Sequence, residues 1–195
     1  MRVIIGLFVV CFFICVSSSC LAQKDTSGSE YKFGTIVKIG LLNGEDDKVG
    51  AFLGFISGLE YRKWFGGLGA GLDYYAGFKS IPIFMEVVRD INDRKNAPFL
   101  NAAVGYNIPL KNKTYKPWLD YQFKGGLYYS FGGGYKFALS NALALTLSAG
   151  YSFKSQKEKD IVEYGPGPFG QPLPPRIDDY FYKFRRLYVN VGFVF

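Results

Sequence analysis

The chain has 195 residues, 49% of them hydrophobic and 18% aromatic, with 24 glycines and a formal net charge of +7. It contains no histidine, which excludes catalytic arrangements that use an imidazole as general base. After Val16 no apolar run reaches the ~20 residues that a transmembrane helix needs, so the rest of the chain could span a membrane only as a β-barrel.

The first 22 residues predict an export signal. Arg2 supplies a positive charge, and the apolar stretch Val3–Val16 is too short to span a bilayer. Cys20-Leu21-Ala22 fits a small-residue cleavage site, so residues 1–22 are predicted to be a signal peptide and Gln23 the first mature residue. The alternative is that Cys20 is lipidated. All three cysteines lie in this segment, so cleavage would leave neither a disulfide nor a thiolate metal site.

Eight strands are predicted after a short periplasmic segment, residues 23–30. Aromatic and β-branched residues recur between turn-like clusters at spacings that fit strands. Each strand is long enough for the ~9–11 residues that a tilted transmembrane strand needs. Residues 31–195 are therefore predicted to be an all-β domain, an eight-stranded antiparallel transmembrane β-barrel with up-and-down meander topology. The predicted strands are Tyr31–Leu42, Val49–Arg62, Gly66–Tyr75, Ile81–Asp90, Phe99–Ile108, Gln122–Leu139, Leu143–Lys154 and Phe181–Phe195.

The connections between these strands alternate in length, which predicts an orientation. An even number of strands places both mature termini on one side, which is periplasmic in bacterial single-chain barrels. Short periplasmic turns are then predicted at Lys63-Trp64-Phe65, Ile91–Pro98 and Ser140-Asn141-Ala142. The outer loops are predicted at Asn43–Lys48, Ala76–Ser80, Pro109–Tyr121 and Ser155–Tyr180. The predicted location is the bacterial outer membrane.

Large apolar residues alternate with small polar ones in several strands. In the seventh strand, Leu145 and Leu147 alternate with Thr146 and Ser148. The polar face carries too little charge for a solvated surface, and it suits the crowded interior of an eight-stranded barrel. A soluble lipocalin-like barrel, with its apolar face inside, is the alternative fold.

Extending this alternation places six charged residues inside the barrel, three acidic and three basic. A buried charge is tolerated only when it is paired and hydrogen-bonded. We therefore predict an interior salt-bridge network that plugs the barrel and argues against an open pore. The alternative for any one residue is a position near a strand end, in water. The predicted interior residues are Lys38, Glu60, Asp73, Glu86, Lys136 and Arg186.

Aromatic residues cluster where the strands are expected to end, which favours two interfacial girdles. The periplasmic girdle is predicted to contain Tyr61, Trp64, Phe65, Phe99, Phe137, Phe193 and Phe195. The outer girdle is predicted to contain Tyr74, Tyr75, Phe78, Tyr115, Trp118, Tyr121, Phe181 and Tyr182. The chain ends on an apolar face that includes Phe193 and Phe195, and this ending resembles the C-terminal signal read by the bacterial barrel assembly machinery.

Together, the strand count, the export signal, the terminal phenylalanine and the segments 66–75, 81–86 and 98–106 resemble the small outer-membrane β-barrel family of the OmpA-barrel and OmpX-like type. The resemblance implies the fold and the membrane, but leaves the function open because members act as anchors, adhesins, assembly accessories or small enzymes. Unlike the anchor type, the chain is not expected to carry a peptidoglycan-binding domain after its last predicted strand.

The sequence argues against catalysis. Barrel lipases, acyltransferases and proteases resemble one another in using a histidine, which is absent here. The adjacent pairs Asp46-Asp47 and Asp178-Asp179 fit solvated loop charges better than an acid–base pair. No P-loop, metal-ligand cluster or dinucleotide fingerprint is present. The chain is predicted to be non-enzymatic and to bind no cofactor or metal.

Basic residues near the predicted outer rim suggest contacts with outer-membrane lipid, in particular with lipopolysaccharide phosphates. Solvated lysines that keep the loops apart are the alternative, and nucleic acid is not expected in this compartment. The predicted contact residues are Lys111, Lys113, Lys116, Lys154, Lys157, Lys159, Lys183 and Arg185.

The Ser155–Tyr180 loop contains the segment Gly165–Pro175, which is rich in proline and glycine and therefore semi-rigid. Phe169 and Leu173 on this segment could dock a protein partner; a loop without function is the alternative. The predicted function is a plugged membrane scaffold whose outer loops carry any binding role. An accessory barrel of a transport or secretion complex is the alternative.

Overall fold

The computed structural model describes residues 31–44, 48–75, 77–110, 120–162 and 176–195. The predicted signal peptide and the segment 23–30 lie outside the described residues. No helix in the described part of the chain is long and apolar enough to cross a membrane. The described residues form nine β-strands: β1 (Tyr31–Gly44), β2 (Val49–Tyr61), β3 (Trp64–Tyr75), β4 (Phe78–Asp90), β5 (Ala97–Leu110), β6 (Asp120–Lys124), β7 (Gly126–Ala138), β8 (Ala144–Val162) and β9 (Arg176–Val194).

These strands close into a barrel. β1 pairs with β2 on one side and with β9 on the other, so the sheet has no free edge along β1. β6 and β7 both pair with β8 and are interrupted only at Gly125, so they form one barrel strand. The result is a closed, eight-stranded antiparallel barrel with meander connectivity, which confirms the predicted fold.

The two rims of the barrel differ. Thr35 and Phe195 exchange two backbone hydrogen bonds, with N···O distances of 3.1 and 2.9 Å. β1 therefore begins, and β9 ends, at the same rim. We call this rim the termini end and the opposite rim the loop end. Gly77 lies in the connection from β3 to β4 at the loop end, and its φ of 81° is a left-handed conformation that glycine adopts without strain.

The strands extend further than the sequence predicted. β8 continues to Val162 and pairs there with Arg176 of β9, so both ends of the predicted Ser155–Tyr180 loop are paired strand. Trp64 and Phe65 belong to β3, which leaves residues 62–63 as the turn. The predicted strands are shorter because polar and charged residues are typical of loops. In β8 and β9, however, the inward–outward alternation continues through such residues.

The outer wall is apolar and the interior is polar. Leu68, Val104 and Leu187 are more than half exposed on the outer wall, whereas Ser148 and Asn190 are buried inside. A lipocalin has the reverse arrangement, so the soluble alternative is wrong and the wall suits lipid.

Five of the girdle predictions are also wrong. Phe78 and Tyr182 have the inward parity of Ser80 and Arg186, and their ring centroids are 5.2 Å apart. Phe65, Phe99 and Tyr75 point inward and are only 8%, 5% and 3% exposed. In β3, Phe65 and Tyr75 share the parity of the buried Asp73, so alternation places them inside. Tyr115 and Trp118 lie outside the described residues.

Interior glycines make room for large rings. A Cβ atom built on Gly69 would lie 2.8 Å from Cε2 of Phe84, and one built on Gly71 would lie 2.7 Å from Cε2 of Phe52. Both rings are buried. A narrow barrel can therefore hold aromatic side chains only where the facing positions carry no side chain.

We predict that Gly69→Val destabilises the barrel by about 1–3 kcal/mol, because the new side chain overlaps the Phe84 ring. Urea unfolding in lipid vesicles, followed by tryptophan fluorescence, measures the change. Gly66→Val is the matched control in the same strand, since a Cβ there meets nothing within 4 Å. Equal destabilisation by both variants would contradict the packing account.

Candidate functional site: the barrel interior and the loop-end rim

One buried carboxylate connects three strands. Asp73 of β3 accepts hydrogen bonds from Arg186 of β9, with Nη1 at 2.9 Å from Oδ1 and 2.7 Å from Oδ2. Lys154 Nζ of β8 donates to Asp73 Oδ1 at 2.9 Å and to Ser80 Oγ at 3.0 Å. Arg186 Nη2 also donates to Ser152 Oγ at 3.0 Å. The three ionic side chains are at most 1% exposed, so this cluster crosses the interior shielded from bulk water.

A second charged pair lies deeper in the barrel. Lys38 of β1 forms an ion pair with Glu86 of β4, and both side chains are buried. Asn101 Nδ2 donates to Glu86 Oε1 at 3.3 Å, and the Tyr188 hydroxyl donates to Asn101 Oδ1 at 3.2 Å. A cavity of about 20 Å³ lies among these groups and Asp73, which is room for little more than one water molecule.

A third pair lies towards the termini end. Lys136 of β7 forms a partly buried ion pair with Asp90 of β4. A cavity of about 50 Å³ separates this pair from Lys38, and Glu60 also lines that cavity. Along the barrel axis, charged pairs thus alternate with small cavities.

The structure places the six predicted interior residues at different depths. Lys38, Asp73, Glu86 and Arg186 are buried inside, while Lys136 and Glu60 are half-buried towards the termini end. The prediction missed two charged members of these clusters, Asp90 and Lys154. The sequence does contain a signal for both residues. Asp90 lies four residues after Glu86, and Lys154 lies two residues after Ser152, so each is on the inward face of its strand.

Lys154 is a correction to the predicted lipopolysaccharide contacts. It is 0% exposed and points into the barrel, because it continues the inward face of β8. The neighbouring Lys157, Lys183 and Arg185 are exposed on the outer wall. Lys159 is half-exposed. Lys111, Lys113 and Lys116, and the predicted docking residues Phe169 and Leu173, lie outside the described residues.

A β-bulge adds a cation that the sequence did not reveal. Tyr128 pairs with Lys154 and Lys124 pairs with Lys157, so one strand uses one more residue than the other between these pairs. The extra residue lies at Gly125, and it reverses the alternation before it. Lys124 is therefore exposed on the outer wall, directly opposite Lys157.

The terminal phenylalanines lie on the lipid-facing side. Phe193 is 40% and Phe195 is 48% exposed. Because the backbone of Phe195 pairs with that of Thr35, the last residue is held in the barrel wall. Recognition by the assembly machinery stays a prediction.

Known structures share this fold. The outer membrane protein AlkL, determined by solid-state NMR in DMPC lipid bilayers, aligns with a TM-score of 0.53 at 10% identity over 89% of this chain and 94% of AlkL. The crystal structure of Neisserial surface protein A (NspA) aligns with a TM-score of 0.52 at 11% identity over 85% of this chain and 96% of NspA. No family model matches the chain, and no curated protein sequence does. The chain therefore has the fold of small outer-membrane β-barrels.

We predict that Asp73→Ala destabilises the barrel by about 3–5 kcal/mol, because it leaves Lys154 and Arg186 buried without their shared anion. The control is Asp93→Ala, which removes a surface ion pair to Lys63 and should cost at most about 1 kcal/mol. Reversible urea unfolding in vesicles measures both. A similar, small cost for the two variants would show that Asp73 does not hold the interior together.

The pair of Lys38 and Glu86 allows a test of coupling. Lys38→Met leaves the Glu86 carboxylate buried with Asn101 as its one hydrogen-bond partner among the described residues, and should be strongly destabilising. Adding Glu86→Gln removes the buried, unpaired negative charge, so the double variant should be more stable than Lys38→Met alone. A double-mutant cycle with additive free energies of unfolding would contradict the pairing.

Proposed function

We propose that the protein is a non-enzymatic scaffold of the bacterial outer membrane, a barrel plugged by its own side chains whose loop end faces outward and carries the binding role. The observation that supports this most directly is the cluster of Asp73, Lys154 and Arg186, which joins β3, β8 and β9 across the interior. A side-chain cluster in this position stabilises the barrel and occupies the route that a solute would need.

The interior leaves little space for a solute. The cavities around Lys38 measure about 20 Å³ and about 50 Å³, and ion pairs lie between and beyond them. An ion that passed would have to displace buried charged side chains from their partners, which is costly in a medium of low dielectric constant. This supports a barrel that does not conduct.

The two surfaces support the proposed membrane location and orientation. The apolar outer wall needs lipid around it, and the connections at the termini end span at most six residues, as on the periplasmic side of bacterial barrels. The loop end would then face the exterior. The longest hairpin, β8–β9, extends from that end and would carry the Ser155–Tyr180 segment outward.

The engaged carboxylates support a non-catalytic interior. Asp73, Glu86 and Asp90 are each held in an ion pair with a cation. A carboxylate whose oxygens are held by a lysine or arginine is not free to accept a proton from a substrate. With no histidine in the chain, these three groups offer no obvious proton-transfer site.

Planar-bilayer recording tests the plug. We expect the wild-type protein to show no conductance steps, and the variant Asp73→Ala/Lys154→Ala/Arg186→Ala to show them, because the cluster that fills the loop-end half is removed. Lys63→Ala/Asp93→Ala/Lys95→Ala is the control with the same change in charge at the termini end, and should stay silent. Steps from the wild-type protein would favour the transport alternative.

The binding role of the loop end has a separate test. Residues 165–175 are replaced by a Gly/Ser linker of equal length, and both proteins are purified from the outer membrane after mild crosslinking. A defined partner captured by the intact chain and lost from the variant would support docking through Phe169 and Leu173. Identical captured material from both would leave the segment without this role.

A further inference from the structure

Four exposed cations lie close together on the outer wall near the loop end. We call Lys124, Lys157, Lys183 and Arg185 the basic face. Lys124 of β6 is directly opposite Lys157 of β8, and Lys157 is diagonal to Lys183 of β9, because its direct partner there is Phe181. Side chains that are direct or diagonal neighbours across strands lie within about 5–8 Å at their Cβ atoms.

The basic face is not neutralised by the described residues around it. None of its four side chains forms an ion pair within the described part of the chain. The nearest carboxylate in the pairing register, Asp179, is opposite Lys159 and so lies beyond the face. Like charges placed directly opposite each other destabilise a sheet unless an anion lies between them.

The bulge at Gly125 creates this arrangement at the expense of a better one. If β6 kept the register that β7 has with β8, Lys124 would pair with Glu158 on the inward side of β8, as an opposite-charge pair. With the bulge, Phe123 is opposite Glu158 and Lys124 is opposite Lys157 on the outer wall. Bulges frequently redirect a side chain next to a functional site. The chain thus gives up an attractive cross-strand pair for a repulsive one.

The wall directly below the basic face is apolar. Leu127, Phe153 and Leu187 continue the same outward faces of β7, β8 and β9 towards the membrane centre. Lys157 Nζ lies 4.4 Å from the centre of the Phe181 ring, which holds this cation against the wall. An anion bound here would have hydrocarbon directly beneath it.

We propose that the basic face binds the phosphate groups of a phosphorylated glycolipid, the lipid A part of lipopolysaccharide, with its acyl chains along the apolar wall. The proposal rests on the proposed outer-membrane orientation. A soluble anion would gain nothing from the wall below, whereas a lipid gains both ion pairs and chain packing. Lipid A carries phosphates at both ends of its disaccharide, which suits cations spread over three strands.

Binding of purified lipid A to the refolded protein in detergent micelles, measured by native mass spectrometry, tests the site. Lys124→Gln/Lys157→Gln/Lys183→Gln should weaken binding at least about tenfold, and added salt should weaken wild-type binding. The control Lys32→Gln/Lys63→Gln/Lys95→Gln removes the same charge at the termini end and should change binding less than about twofold. Equal weakening by the two variants would overturn the proposal.

Two further probes identify the ligand chemistry. Phosphatidylglycerol and inorganic phosphate should each bind more weakly than lipid A, since one has fewer phosphates and the other no acyl chains. If either binds the wild type as tightly as lipid A does, the glycolipid assignment is wrong. Conductance of the same variants in planar bilayers tests the plug independently, because none of these substitutions changes the interior cluster.

Discussion

The rest of the structure depends on the ion pair between Asp73 and Arg186. An apolar outer wall forces polar and charged residues into a narrow interior, where each charge needs a partner. Asp73 meets this need for two cations at once, since Arg186 and Lys154 both donate to it. The interaction also joins residues 113 positions apart in sequence, so it fixes how the closing strand β9 meets the middle of the chain.

The interior and the loop-end wall handle charge in opposite ways. Inside, Lys38, Lys136 and Arg186 each have a carboxylate partner. On the outer wall, Lys124 and Lys157 are opposite each other and are not paired with a described carboxylate. Interior charges are matched within the chain because bulk solvent reaches them little or not at all, whereas exterior charges can be matched by lipid phosphates. This difference is the physical basis for separating a structural role inside from a binding role outside.

The sequence predicts the barrel because period-two alternation is a strong local signal. Strands such as β8 show it plainly, with Leu145 and Leu147 outside and Thr146 and Ser148 inside. It also points to Asp73 and Arg186, whose parity matches that of Gly71 and Asn190 on the inward faces of their strands. It fails at Gly125, where an inserted residue reverses the parity and sends Lys124 outward. Alternation is also obscured after Lys154, because the charged residues there resemble a loop although β8 continues through them to Val162. Pairing partners such as Lys136 with Asp90 depend on register between distant strands, which alternation within one strand does not encode.

The most direct test of the sealed interior is the exchange of side-chain protons. ¹⁵N-resolved NMR of the protein in lipid nanodiscs detects ammonium and guanidinium protons only when they exchange slowly with water. The account predicts observable Lys154 and Arg186 side-chain signals at neutral pH that shift when Asp73 is replaced by asparagine, while the exposed Lys157 gives no signal. Exchange of Lys154 and Arg186 as fast as that of Lys157 would mean that water reaches the cluster, and would contradict a barrel closed by its own charges.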